Sequence, residues 1–190
     1  MNRPATEPRI RPLTGAALDN AAAQLPRIKV AGSVANGRSN IFTTLVRHPD
    51  LFRTWTPLLE ALLNGKLPGR DREILILRTG WNCASEYEWG QHVVVGRRTG
   101  LTDEEIERVR DGAGALGWTD ADALLLRAAD ELHAEARLSE RTWGELAHRY
   151  DEQQLIEIVM VVGHYHMVAM ALNSLQVELD SGIPGFDIQQ

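Results

Sequence analysis

The chain has 190 residues, a net charge of −6, 44% apolar and 24% charged residues. That is enough polypeptide for one soluble domain with a substantial core, and its charge has the wrong sign for gripping a nucleic-acid backbone. Its single cysteine, Cys83, excludes an internal disulfide framework and suits a reducing compartment. The opening MNRPATEPRIRPL has prolines and charges where a signal peptide needs an apolar core, so the expectation is a cytoplasmic protein.

Residues 1–13, with Pro4, Pro8 and Pro12, read as a flexible arm, disordered in a monomer or laid across a neighbouring subunit. Residues 14–190 read as one all-α domain. A first helix is expected from about Thr14 to Leu25, stopping at Pro26. A second runs from Ser39 to Arg47 and ends before His48-Pro49, since the residue before proline is biased out of the helical region. Asp50 is expected to cap a helix carrying Leu51, Trp55, Leu58, Leu59, Leu62 and Leu63, which stops at Asn64-Gly65. Asp71 opens a short apolar helix that ends near Gly80. Ser85-x-x-Glu88 has the form of a capping box for a helix reaching Gly100. Thr102-x-x-Glu105, Thr119-x-x-Asp122 and Asp151-x-x-Gln154 repeat that form, and Ser139 can cap the segment to Tyr150. The apolar stretch from Leu155 to Leu175 is interrupted by Glu157, His164, His166 and Asn173, so it reads as a buried helix and not a membrane span. No stretch alternates with period two, and no strand is expected. RDREILILRTGWNCASEYEW and EQQLIEIVMVVGHYHMVAMA share an apolar helix, a glycine and an aromatic continuation, a faint sign of duplication.

The chemistry is concentrated in CASEYEWGQH, residues 83–92, and in Glu73. Ser85, Glu88 and His92 are spaced i, i+3, i+7 and fall along one helical face. Glu73 precedes the run Ile74-Leu75-Ile76-Leu77, where a carboxylate is costly without a partner. Two acids and a histidine that can converge are equipment for proton transfer. Each has a plainer reading. Ser85 and Glu88 can serve the helix start as a capping box, Glu73 can be a solvated first-turn acid, and a lone helical histidine can be a satisfied core residue. At a helix N-terminus Glu88 is expected as an anion, hence a base. Cys83 reads as a small buried hydrophobe. Trp81, Tyr87 and Trp89 read as core or pocket wall, with the Tyr87 hydroxyl available to a substrate oxygen. Arg72 or Arg78 could clamp a substrate carboxylate. His164 and His166 point about 200° apart on one helix and cannot chelate one ion from it. His133 and His148 lie on polar-patterned helices and read as solvated, so no metal-ligand set is expected.

The spacing Glu73, eleven residues, Ser85-x-x-Glu88, three residues, His92 resembles the Glu…Cys-x-x-Cys…His pattern of the alkylhydroperoxidase-like and carboxymuconolactone decarboxylase superfamily. The run Leu67 to Glu105 (LPGRDREILILRTGWNCASEYEWGQHVVVGRRTGLTDEE) carries the resemblance most closely. WTPLLEALLNGKLP and LIEIVMVVGHYHMVAMALNSL extend it. The resemblance implies a helical fold that assembles as trimers or hexamers, with Glu73, Glu88 and His92 as the proton relay and Cys83, Ser85, Tyr87, Trp81 and Trp89 around the substrate. Ser85 and Glu88 stand where the superfamily has its redox cysteines, and Cys83 lies two residues ahead of them. A dithiol peroxidase needs an attacking and a resolving thiol, so that activity does not carry over. The implied function is cofactor-independent, carboxymuconolactone decarboxylase-like lyase chemistry on a small unsaturated carboxylate or lactone, with no membrane or nucleic-acid partner. The rivals are a peroxidase-like redox protein and a non-catalytic oligomeric scaffold.

Overall fold

Capping and breaking signals place the helices within a few residues of where the sequence puts them. The computed structural model describes residues 7–22, 29–30, 33–34 and 39–188. In chain order the helices are α1 (Gly15–Ala22), α2 (Asn40–Leu45), α3 (Pro49–Leu63), α4 (Gly69–Asn82), α5 (Glu86–Arg98), α6 (Asp103–Val109), α7 (Asp120–Glu135), α8 (Glu140–Ala147) and α9 (Glu152–Leu175). A two-residue antiparallel ladder pairs Lys29 with Val34 and Val30 with Ser33. It is the only strand pairing among the described residues and leaves the all-α architecture unchanged. The expected end of the first helix, residues 23–26, lies outside the described residues.

Four capping signals work as the sequence suggests. Thr102 and Asp151 form full capping boxes with Glu105 and Gln154, Thr119 accepts from the Asp122 amide, and Ser139 accepts from the Thr142 amide. Two do not. His48, not Asp50, is the N-cap of α3: its Nδ1 accepts from the Leu51 amide at 3.3 Å, with Pro49 in the first helical position. Proline is pre-set for that position, so the His-Pro step that ends α2 also starts α3. The Ser85–Glu88 box does not form, because Ser85 makes no side-chain cap and neither Glu88 oxygen has a partner. The tight turn between α4 and α5 explains this. Ala84 is left-handed at φ 49°, the Ser85 amide donates to the Gly80 carbonyl at 2.9 Å, and the Ala84 amide donates to Trp81 at 3.0 Å. This pair of bonds closes α4 and folds Ser85 inward, fully buried, away from the amides it would cap.

The duplicated-unit reading is also corrected. Residues 152–175 form one unbroken helix with Gly163 inside it, whereas the first stretch folds back at the Ala84 turn. Helix α4 is the centre of the molecule and packs on α5, α7 and α9. Residues Arg72 to Leu77 are therefore buried on every side, as expected for a helix without a solvent face. Arm residues 9–13 lie on this same chain: the Arg9 amide donates to Leu175 at 3.0 Å and the Leu13 amide to Thr43 at 2.8 Å. Among the described residues only α9 is long and apolar enough to cross a membrane, and half of that stretch is buried in the protein.

Candidate functional site

Glu73 sits in the buried second turn of α4 with no solvent exposure. Its Oε2 lies 2.6 Å from His92 Nδ1, and its Oε1 accepts from Arg72 Nε at 3.2 Å. The acid placed in an apolar run therefore has its partners, one from α5 and one from its own helix. Because Glu73 holds Nδ1, the other ring nitrogen, Nε2, is left to meet a bound molecule. The Tyr165 ring from α9 packs edge-on against the imidazole, with centroids 4.9 Å apart and planes at 88°.

Glu88, one helical turn before His92, has the opposite environment. It is 2% exposed, and neither carboxyl oxygen finds a partner among the described residues. Gly80 of α4 makes the room: a Cβ there would sit 3.3 Å from Glu88 Oε1. Burial pushes the Glu88 carboxyl well above the usual range, so the neutral acid is favoured. This corrects the anion expected from the helix terminus: desolvation outweighs a dipole worth about 1 kcal/mol. Glu73 holds the imidazole, and Glu88 stands apart from that pair as an acid whose neutral form is favoured.

Glu88 and His92 line a cavity of about 390 Å³. Its wall is largely apolar: Phe42, Trp55, Leu59, Leu63, Val168 and Leu172 contribute from α2, α3 and α9. Arg98, exposed at the end of α5, also borders it. The cavity suits a small, mostly apolar molecule with an anionic group directed at Arg98. Its buried groups can donate a hydrogen bond from Glu88 and exchange a proton at His92.

The residues singled out from the sequence divide clearly. Tyr87 borders the cavity, but its hydroxyl is engaged: it donates to Asp180 Oδ2 at 2.6 Å and accepts from the Ile41 amide at 3.1 Å. Ser85, Cys83, Trp81 and Trp89 are not among the cavity-lining residues. Trp81 and Trp89 pack with Phe186 in an aromatic cluster crossed by the Arg110 guanidinium. Arg72 is buried on Glu73, and Arg78 is held by Asp130 at 2.6 Å. Both are committed to those partners, and Arg98 is a cation that borders the cavity.

Sequence reasoning missed Tyr165, Gln91 and Asp180. Asp180 accepts from Tyr87, from Gln91 Nε2 at 2.6 Å and from the Asn40 amide at 2.7 Å, which ties the C-terminal segment across the cavity's side. Gly90 lets that segment pass, since a Cβ there would collide with the Pro184 carbonyl. Nothing in the spacing points to Asp180. Tyr165, an aromatic inside an apolar helix, could have been singled out. One grouping of possible ligands was not foreseen from the sequence. His164 and His166 do point apart, but His166 meets His133 of α7 beside Cys83.

With this geometry in hand, residues 49–131 match the model of the carboxymuconolactone decarboxylase family. No curated protein sequence matches the chain. Among solved structures, the alkylhydroperoxidase AhpD core of a peroxidase-related protein from Ralstonia eutropha JMP134 superposes with a TM-score of 0.77. It is 18% identical over 95% of both chains. A peroxidase-related protein from Silicibacter sp. TM1040 gives 0.76 at 13% identity, over 95% of this chain and 96% of that one. The debrominase Bmp8 gives 0.72 at 16% identity, over 90% and 92%. Identities this low speak for the fold. Helices α3 to α7 thus carry the carboxymuconolactone decarboxylase family match, on the all-α fold of the alkylhydroperoxidase-like proteins.

Proposed function

We propose that the chain is a cofactor-independent enzyme of carboxymuconolactone decarboxylase type, which releases carbon dioxide from a small unsaturated carboxylated metabolite. The observation that carries this reading is a pair of buried acids in opposite circumstances around one cavity: Glu73 bound to His92, and Glu88 unpartnered. The bond from ring carbon to carboxylate breaks, and its electron pair passes into the conjugated carbonyl as CO2 leaves. Glu88, still protonated, donates a hydrogen bond to the oxygen on which that charge gathers. His92 then delivers its Nε2 proton to carbon, and the Glu73 carboxylate, already at Nδ1, fixes the ring and supports its cationic form. Water returns the proton to the imidazole after product leaves.

A peroxidase reading lacks the thiol pair, since Ser85 and Glu88 occupy those positions. Two further expectations belong to this proposal. One is action in the cytoplasm. The other is a homo-oligomer, trimer or hexamer, supported by the exposed apolar side chains Ile156, Val159, Met160, Met167 and Met170 along α9. The test is carbon dioxide release from a panel of unsaturated lactone acids and β-keto acids. Turnover that persists unchanged in both His92→Ala and Glu73→Gln would reject the mechanism.

A further inference from the structure

A second cluster of chemically competent side chains lies outside the cavity, and none of its members borders it. Cys83 closes the C-terminal end of α4, His133 sits in the last turn of α7, and His166 faces outward from α9. Cys83 Sγ lies 4.0 Å from His133 Nδ1, and His133 Nδ1 lies 2.8 Å from His166 Nε2. All three donor atoms fall within 4.8 Å of one another. We propose that Cys83, His133 and His166 form a binding site for a borderline-soft divalent metal ion, zinc in the first instance. Solvent completes the coordination.

The donor geometry supports this assignment. Bonds of about 2.3 Å to sulfur and 2.0–2.1 Å to nitrogen in a tetrahedron separate the ligand atoms by roughly 3.3–3.7 Å. The observed separations, 2.8 and 4.0 Å, bracket that range, so small side-chain rotations seat an ion. The His166 ring is already oriented: Nδ1 lies 2.8 Å from the Val162 carbonyl. That carbonyl can only accept, so Nδ1 carries the hydrogen and Nε2 presents its lone pair to the cluster. The Cys83 side is braced as well, because Asn173 Nδ2 of α9 donates to the Cys83 carbonyl at 2.9 Å. Two imidazoles at 2.8 Å share one hydrogen at most, and a cation between them removes that competition. Burial holds the free thiol up at about 11, so binding releases the thiol proton to solvent as the S–metal bond forms. Cys83 and His166 are half-buried and His133 is exposed, which gives an ion an entry path and a solvent-facing fourth position. Because the ligands come from α4, α7 and α9, the ion would staple three elements around the α4–α5 turn.

Cobalt(II) titration of the full-length protein, reduced and metal-free, reads the site directly. The expected result is one equivalent bound, with a thiolate-to-cobalt charge-transfer band and tetrahedral ligand-field bands. Cys83→Ser should abolish the charge-transfer band. His133→Ala and His166→Ala should each weaken binding at least tenfold, and His148→Ala on α8 should leave it unchanged. Zinc should displace cobalt, slow alkylation of Cys83 in the wild-type protein, and raise the melting temperature with increasing concentration. Absence of the charge-transfer band would overturn the proposal, as would binding left undiminished by loss of either histidine. A thiol alkylated at the same rate with and without zinc would overturn it on the wild-type chain alone, whatever the variants do.

Discussion

Helix α4 is flanked by two polar layers built in opposite ways. Toward α7, every charge is met. Arg70 reaches Asp122 at 2.5 Å and Glu105 at 2.6 Å. Arg78 binds Asp130 and the carbonyls of Val109 and Arg110, each carbonyl at 2.8 Å, while Asn82 donates to the same Asp130 at 2.8 Å. Toward α5 and α9, Glu73 has His92 and Arg72, but Glu88 has no hydrogen-bond partner among the described residues. Saturated networks hold a fold, and a buried acid without a partner costs stability. Under the proposed function, the second layer is the one kept for a ligand.

The comparison can be broken by exchanging which layer is damaged. His92→Ala should lower kcat/KM for decarboxylation by about a hundredfold or more, the usual scale of a general acid–base group. Arg78→Ala should do the reverse. It removes the cation from Asp130, strands two carbonyls and should cost about 2–4 kcal/mol in urea unfolding, with kcat within a few-fold of wild type. If Arg78→Ala lowered kcat as strongly as His92→Ala, the division between the layers would fail.

Acid–base titration of stability sharpens the contrast. Glu88 has a raised folded-state pKa, so its contribution is fully present below its unfolded value and is lost as pH rises through the folded one. Glu88→Gln should therefore gain melting temperature over wild type as pH increases. A constant difference across the range would mean that Glu88 is not held neutral. His164 has the opposite sign. It is buried against Trp55, with neither ring nitrogen partnered among the described residues, and burial, then the electrostatic effect of His92, lowers it to about 4. Its contribution is present above the unfolded value near 6.5 and is lost as pH falls toward 4. His164→Phe should flatten the acid limb of a thermal-denaturation series. The smallest effect is local: Ala84 holds φ 49°, and Ala84→Gly should stabilise the protein by about 1 kcal/mol.

The architecture was legible in the sequence because helix signals are local. Thr102, Ser139 and Asp151 each mark a helix start through bonds made within three residues. The proximity of Glu73 and His92 was legible as well, through the superfamily spacing. What could not be read was the state of Glu88. An identical Ser-x-x-Glu string caps a helix in solvent or hides an acid in the core, and the Ala84 turn together with the space left by Gly80 decides which. Asp180 and the Cys83–His133–His166 group join residues from 33 to 140 positions apart, and no local pattern encodes those meetings.

The proposed mechanism requires Glu88 to be a neutral acid beside the Glu73–His92 pair at working pH. Infrared difference spectroscopy of wild type against Glu88→Gln at pH 7 tests this directly. The predicted result is a protonated-carboxyl C=O stretch in the wild-type protein that is missing from the variant and unchanged on moderate addition of salt. A difference spectrum with only carboxylate bands lost would show Glu88 ionised, and the division of labour between the two acids would be contradicted.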